Sequence, residues 1–269
     1  MRGLKRESMK PFFFPVYQSV FFLIFVMTAA TIAFSLAAPA KKLTIYCWRG
    51  YDTGSYIPSP DYQGFFKRAF EGHDVIFDDQ PGKARILSMI QKADIVYTNS
   101  HSGYPSSSNL TEHILQVGPE GSSGYKLTAL ELAQLRRNIG LENLPRLVVI
   151  SGCNMISLPE EGGRVLRIPE GFGFTPQSKG RAFLGFDGTV PGFRGDGFFR
   201  VFFATWAQKR KDGSYPTLSE AVDESVRFIK DWTAKYGNND RLYMSTPNAG
   251  VGEKVIIVGD SSLRFPDLL

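Results

Sequence analysis

The sequence predicts an α/β protein built on a mostly parallel central sheet of about six strands flanked by helices. Two observations predict it. Short apolar, β-branched runs alternate with stretches whose apolar residues recur at helical spacing. The most apolar of these runs are short enough, and uninterrupted enough, to be strands buried on both faces, as parallel strands are. A third observation concerns chemistry. Two such runs, Asp94–Gly103 and Leu147–Cys153, end in His101-Ser102-Gly103 and in Gly152-Cys153. The carboxyl ends of strands are where open α/β sheets place ligands and reactive groups.

The elements follow in order. Leu43–Trp48 reads as the first strand, and Tyr62, Phe65, Phe66, Ala69 and Phe70 give Asp61–Phe70 a helical face. Asp74–Phe77 is a second strand ending in Asp78-Asp79, and Pro81 opens a helix carrying Ile86, Leu87 and Ile90. The third strand ends at His101. Tyr104–Asn109 is a polar loop and His113–Val117 a small hairpin arm. Thr128 and Glu131 have the spacing of a capping box, and Gly140 stops the helix they begin near Asn138. The fourth strand ends at Cys153 and leads into a Gly- and Pro-rich passage, 159–180. Arg181–Phe186 is a fifth strand, closed by Asp187-Gly188, and Phe198–Gln208 an aromatic helix. Thr217 and Glu220 repeat the capping box before an amphipathic stretch from Leu218 to Trp232. Lys254–Val258 is the last strand.

Residues 1–40 are set apart from the body, 41–269, which is read as one α/β domain. Arg2, Lys5, Arg6 and Lys10 precede an apolar stretch from Val16 to Ala38, and Ala38-Pro39-Ala40 supplies an A-x-A arrangement. This is the layout of an export signal, and the stretch is also long enough to be a retained membrane anchor. Either way the body is expected outside the cytoplasm, with membrane contact only through the N-terminal segment. Of 31 Lys and Arg, those four lie in the segment against Glu7, which leaves 27 against 25 acidic residues in the body, a net of +2. The body also lacks a basic stripe interleaved with aromatics, so nucleic acid is not an expected partner.

The histidines and two cysteines show no zinc-ligand spacing. Asp78-Asp79 reads as a strand-end turn, with a metal-binding pair as the rival account. The G-x-G of Asn248–Gly252 precedes a strand instead of following one, so it is no nucleotide loop. No metal and no cofactor is expected. His73 and His113 are expected to be structural or solvated.

A buried strand ending in His near a Gly, then a helix, then a buried strand ending in a small residue plus Cys, resembles the caspase-like fold of caspases, gingipains, legumains and CHAT-domain proteins. Arg181–Val190, the aromatic helix and the Thr217–Trp232 helix extend the resemblance over roughly Leu43 to Val258. It implies a three-layer sandwich and a cysteine endopeptidase acting on a peptide or protein. Cys153 would be the nucleophile and His101 the general base and later acid. Backbone amides of Cys153 and of Ser102 or Gly103 would stabilise the oxyanion. Asp187 would wall the pocket for the residue before the cleaved bond and favour Lys or Arg there. The same order would put the third strand between Cys47 and Cys153, too far apart for a disulfide. The sequence departs from the resembled pattern at two positions: Ser102 stands between His101 and Gly103, and Gly152 precedes Cys153 where Ala or Ser is usual. An inactive caspase-like binding module is therefore the rival function, and a flavodoxin-like ligand-binding domain with an incidental His and Cys a third.

Overall fold

A computed structural model describes residues 41–50, 59–103, 113–118, 126–153, 155, 166–188, 192–236 and 255–269. The N-terminal segment, the Tyr104–Asn109 loop and the Asn248–Gly252 G-x-G lie outside the described residues.

The body, Lys42–Leu269, forms one compact unit. Its strands are β1 (Thr44–Arg49), β2 (Asp74–Asp79), β3 (Ile95–Asn99), β4 (Ser102–Gly103), β5 (Ile114–Gln116), β6 (Lys126–Thr128), β7 (Leu147–Ser151), β8 (Ala182–Phe186) and β9 (Val255–Gly259). Its α-helices are α1 (Ser59–Ala69), α2 (Lys83–Ile90), α3 (Ala129–Ile139), α4 (Ile168–Gly171), α5 (Gly192–Trp206) and α6 (Leu218–Tyr236). Six strands form the main sheet in the order β2-β1-β3-β7-β8-β9, and β4-β5-β6 form a small second one. All neighbours in the main sheet are parallel except β8 and β9.

The strands feed two apolar layers by simple alternation, because successive side chains leave opposite faces. Ile45, Cys47, Ile95, Tyr97, Leu147, Val149, Leu184 and Phe186 face one way and pack with Phe66, Phe70, Phe199, Phe203 and Trp206. Tyr46, Trp48, Val96, Val148, Ile150 and Phe183 face the other way and pack with Ile86, Ile90, Leu132, Phe172 and Phe174. The central strands β3, β7 and β8 are buried along their whole length. This is why their sequences are mostly apolar instead of alternating, with polar residues only at Thr98, Asn99 and Ser151 near the strand ends.

Both capping boxes form. Glu131 N donates to Thr128 Oγ1 at 3.1 Å while Thr128 N donates to Glu131 Oε2 at 2.9 Å. The pair Thr217 and Glu220 does the same at 3.2 and 2.8 Å. Several boundaries differ from those the sequence predicts. The third and fourth strands end at Asn99 and Ser151, two residues before His101 and Cys153. The ladder stops there because the chain beyond Asn99 changes sheets: Ser102 and Gly103 pair with Leu115 and Ile114. The aromatic helix begins at Gly192, six residues earlier than Phe198. Three glycines (192, 195 and 197) hide that start, and packing of Phe198, Phe199, Phe202, Phe203 and Trp206, all fully buried, holds the helix against its weak propensity. The hairpin arm is the middle strand of the small sheet, and a short helix, α4, lies within the Gly- and Pro-rich passage.

Candidate active site

The register of β3 against β7 positions the site. Asn99 pairs with Ser151, so His101 and Cys153 each lie two residues beyond the same rung of neighbouring parallel strands. Neighbouring strands run about 5 Å apart. Ser100 N donates to Ser151 O at 3.0 Å, which keeps the two chains side by side past the end of the ladder. The hydroxyl of Ser102 donates to the carbonyl of Cys153, a second tie across the two tips. Tyr97 and Val149 face the α5 layer, and Cys153 packs against that layer as well. Cys153 is half-buried and His101 is exposed. A half-buried thiol and a solvent-accessible imidazole just past adjoining strand ends are the side-chain types that acyl transfer uses.

The backbone around the pair is crowded. A Cβ at Gly152 would lie 2.5 Å from Ser102 Oγ and 2.9 Å from Ser100 O. Gly50, just past β1, is similarly confined, by Ser100 and the carbonyl of Gln116. Its N–H donates to Asn99 O at 3.0 Å, and the Ser100 hydroxyl donates to Gln116 O. Gln116 N donates to His101 O at 2.8 Å, so the small sheet holds the histidine's own peptide. Hydrogen-bonded pairs alternate along an antiparallel ladder. Since His101–Gln116 is such a pair, Gly103–Ile114 is the next, and the amide of Ser102 between them faces away from β5.

On the other flank of β7, Met155 N donates to Phe186 O at 2.9 Å, tying the chain after Cys153 to the end of β8. Asp187, half-buried, follows directly on Phe186. His101, Ser102, Gly103, Cys153 and Asp187 therefore share the carboxyl edge of β3, β7 and β8.

Cys47 is not part of this edge. It is fully buried on β1, level with Tyr97 of β3, and burial pushes its thiol well above the ordinary range. The two cysteines are not joined in a disulfide. Asp78 and Asp79 are ion-paired, Asp78 with Arg85 at 2.9 Å and Asp79 with Arg49 at 2.6 Å. Asp78 also accepts a hydrogen bond from Tyr46 at 3.0 Å. No group of three or more metal-ligating side chains occurs among the described residues. His73 Nδ1 accepts from Leu43 N at 3.3 Å and its ring packs edge-on against Phe265. His113 is fully buried in the small sheet, and burial, with the charge of Arg167 nearby, lowers its imidazole to about 4.

Sequence reasoning did not single out Asp196. This carboxylate is 3% exposed on α5 and accepts a hydrogen bond from the Tyr97 hydroxyl at 2.7 Å. Its only sequence signal is an acid set among Gly195, Gly197 and Phe198.

No protein-family model matches the chain, and no curated protein matches it. A solved structure does: the Arg-specific cysteine proteinase gingipain R superposes with a TM-score of 0.52 over 82% of this chain, at 12% identity. The fold is caspase-like. The mostly parallel six-stranded sheet between two helical layers agrees with that assignment. The chain spans about half of the gingipain R chain, 47% of its length. Among the described residues no helix is long and apolar enough to cross a membrane.

Proposed function

We propose that the chain is a cysteine endopeptidase in which Cys153 attacks the peptide carbonyl and His101 moves the proton. The observation that supports this reading is the shared rung: Asn99 pairs with Ser151, and His101 and Cys153 each follow two residues later on neighbouring chains. In the first half-reaction the Cys153 sulfur bonds to the scissile carbon, and His101 passes the thiol proton to the leaving amine. In the second, water attacks the thioester, His101 takes its proton, and the thiol is regenerated as the acid departs. The amide of Cys153 and that of Ser102, which faces away from β5, are the donors for the oxyanion. Gly103 contributes by holding that turn on the small sheet.

Asp187 at the tip of β8 supports a preference for Arg or Lys before the cleaved bond, since a half-buried carboxylate favours a cation. Gingipain R, whose name marks it as Arg-specific, shares the fold and lends the preference further support. The substrate is thus a peptide or protein carrying a basic residue. The layout of residues 1–40 supports a body that works outside the cytoplasm, secreted or periplasmic if the segment is removed and anchored if it is kept.

Fluorogenic peptides differing only in Arg, Lys or Asp before the reporter test both parts. The full chain is expected to cleave the Arg and Lys peptides at least 10-fold faster than the Asp peptide, and Cys153→Ala to cleave none. Equal turnover of the Asp peptide would remove the role of Asp187. No turnover of any peptide, with the protein folded, would leave the inactive binding module as the better reading.

A further inference from the structure

We propose that Ser102 is a positioning residue for the nucleophile, and that Gly152 is a glycine because Ser102 occupies the space its side chain would need. The inference rests on Cys153 being the reactive thiol. The two residues that depart from the resembled pattern are in contact with each other. Ser102 enters from the β3 tip and Gly152 from the β7 tip, 50 positions apart in sequence. The Ser102 hydroxyl donates to the Cys153 carbonyl, and an ideal Cβ at position 152 would sit 2.5 Å from that same oxygen and 3.2 Å from Ser102 Cβ. A separation of 2.5 Å lies far inside van der Waals contact, so a side chain at 152 requires the serine hydroxyl to turn away and give up its bond to the Cys153 carbonyl. The third close atom is Ser100 O at 2.9 Å, a backbone oxygen held by the neighbouring tie of Ser100 N to Ser151 O.

The consequence is a specific exchange. A small side chain before the cysteine would support the nucleophile from its own strand. Here the support comes from the neighbouring strand, through a hydrogen bond to the cysteine's carbonyl. That bond restrains the backbone of Cys153, and with it the angle at which the thiol meets His101. A displacement of a few tenths of an ångström there moves the sulfur off its line of attack, which costs rate more than binding.

A mutant cycle in the full chain tests this, using Gly152→Ala, Ser102→Gly and the two combined. Each change leaves the backbone amides in place. Three readouts are taken: kcat and KM on the Arg peptide, the rate at which iodoacetamide alkylates Cys153 by peptide mapping, and the melting temperature. Gly152→Ala alone is expected to lose at least 10-fold in kcat and to melt earlier. Adding Ser102→Gly is expected to recover most of both, short of full recovery because Ser100 O remains. Ser102→Gly alone is expected to lower kcat several-fold with KM nearly unchanged. Losses from Gly152→Ala that are the same whichever residue stands at 102 would overturn the proposal. If Gly152→Ala does not fold, refolding of the combined variant supports it and failure to refold overturns it. A wild type that turns over no peptide counts against the peptidase reading itself; the alkylation and melting cycles then still decide whether residues 102 and 152 are coupled.

Discussion

At the scale of single residues the two cysteines of the body differ by burial. Cys47 lies in the apolar layer, where the thiolate is disfavoured, while Cys153 sits at a strand tip within reach of solvent. His113 shows the same control exerted on a base. Its imidazole is lowered to about 4 by burial, against an unfolded value near 6.5. Between those two values the unfolded chain binds a proton that the folded chain refuses, so stability falls as pH drops through that window. The contribution is roughly 3 kcal/mol between pH 7 and pH 4. His113 leads directly into β5, which carries Ser102 and Gly103 through β4, so the loss is expected to be felt at the site. Urea unfolding at pH 7 and pH 4 checks it. His113→Gln should reduce the acid loss by about that amount, and an unchanged loss would show that another group is responsible.

At the scale of elements, local and non-local signals separate cleanly. The capping boxes at Thr128 and Thr217 were legible because cap and partner lie three residues apart and need no tertiary contact. The buried strands were legible because burial on both faces keeps β3 apolar through Tyr97 and β7 apolar through Ile150. The early start of α5 was not legible, since glycines at 192, 195 and 197 oppose a helix that only packing against the sheet maintains. The antiparallel direction of β9 was not legible either, because an apolar run of five residues has no polarity of its own. Nor was the tie between α5 and β3. The Tyr97 hydroxyl crosses the aromatic layer to the Asp196 carboxylate, two residues 99 positions apart. A hydrogen bond to a buried carboxylate is worth about 2 kcal/mol. Tyr97→Phe is expected to lower unfolding stability by about that much, measured by urea titration. A change below about 0.5 kcal/mol would mean that the layer is held by aromatic packing alone.

At the scale of the whole molecule, the site is a product of strand order. Placing β3 beside β7 puts a histidine and a cysteine, 52 positions apart, just past the ends of neighbouring strands, and placing β8 next puts Asp187 past the third. Sequence alone supplied the residue types and their position at strand ends. It did not supply the meeting of Ser102 with Gly152, which exists only once two tips are adjacent. The proposed compartment outside the cytoplasm rests on the layout of residues 1–40 in the sequence. Alkaline phosphatase, whose disulfides form outside the cytoplasm, is expected to be active when fused after Leu269; an inactive but intact fusion would count against export.

The dyad itself is tested most directly by covalent capture. An Arg-containing peptidyl acyloxymethyl ketone is incubated with the wild-type chain, His101→Ala and Cys153→Ala, and the modified residue is mapped by mass spectrometry. The predicted result is a single adduct on Cys153, formed at least 100-fold more slowly without His101 and absent without Cys153. An adduct rate that does not change in His101→Ala, or no adduct on the folded wild type, would contradict it.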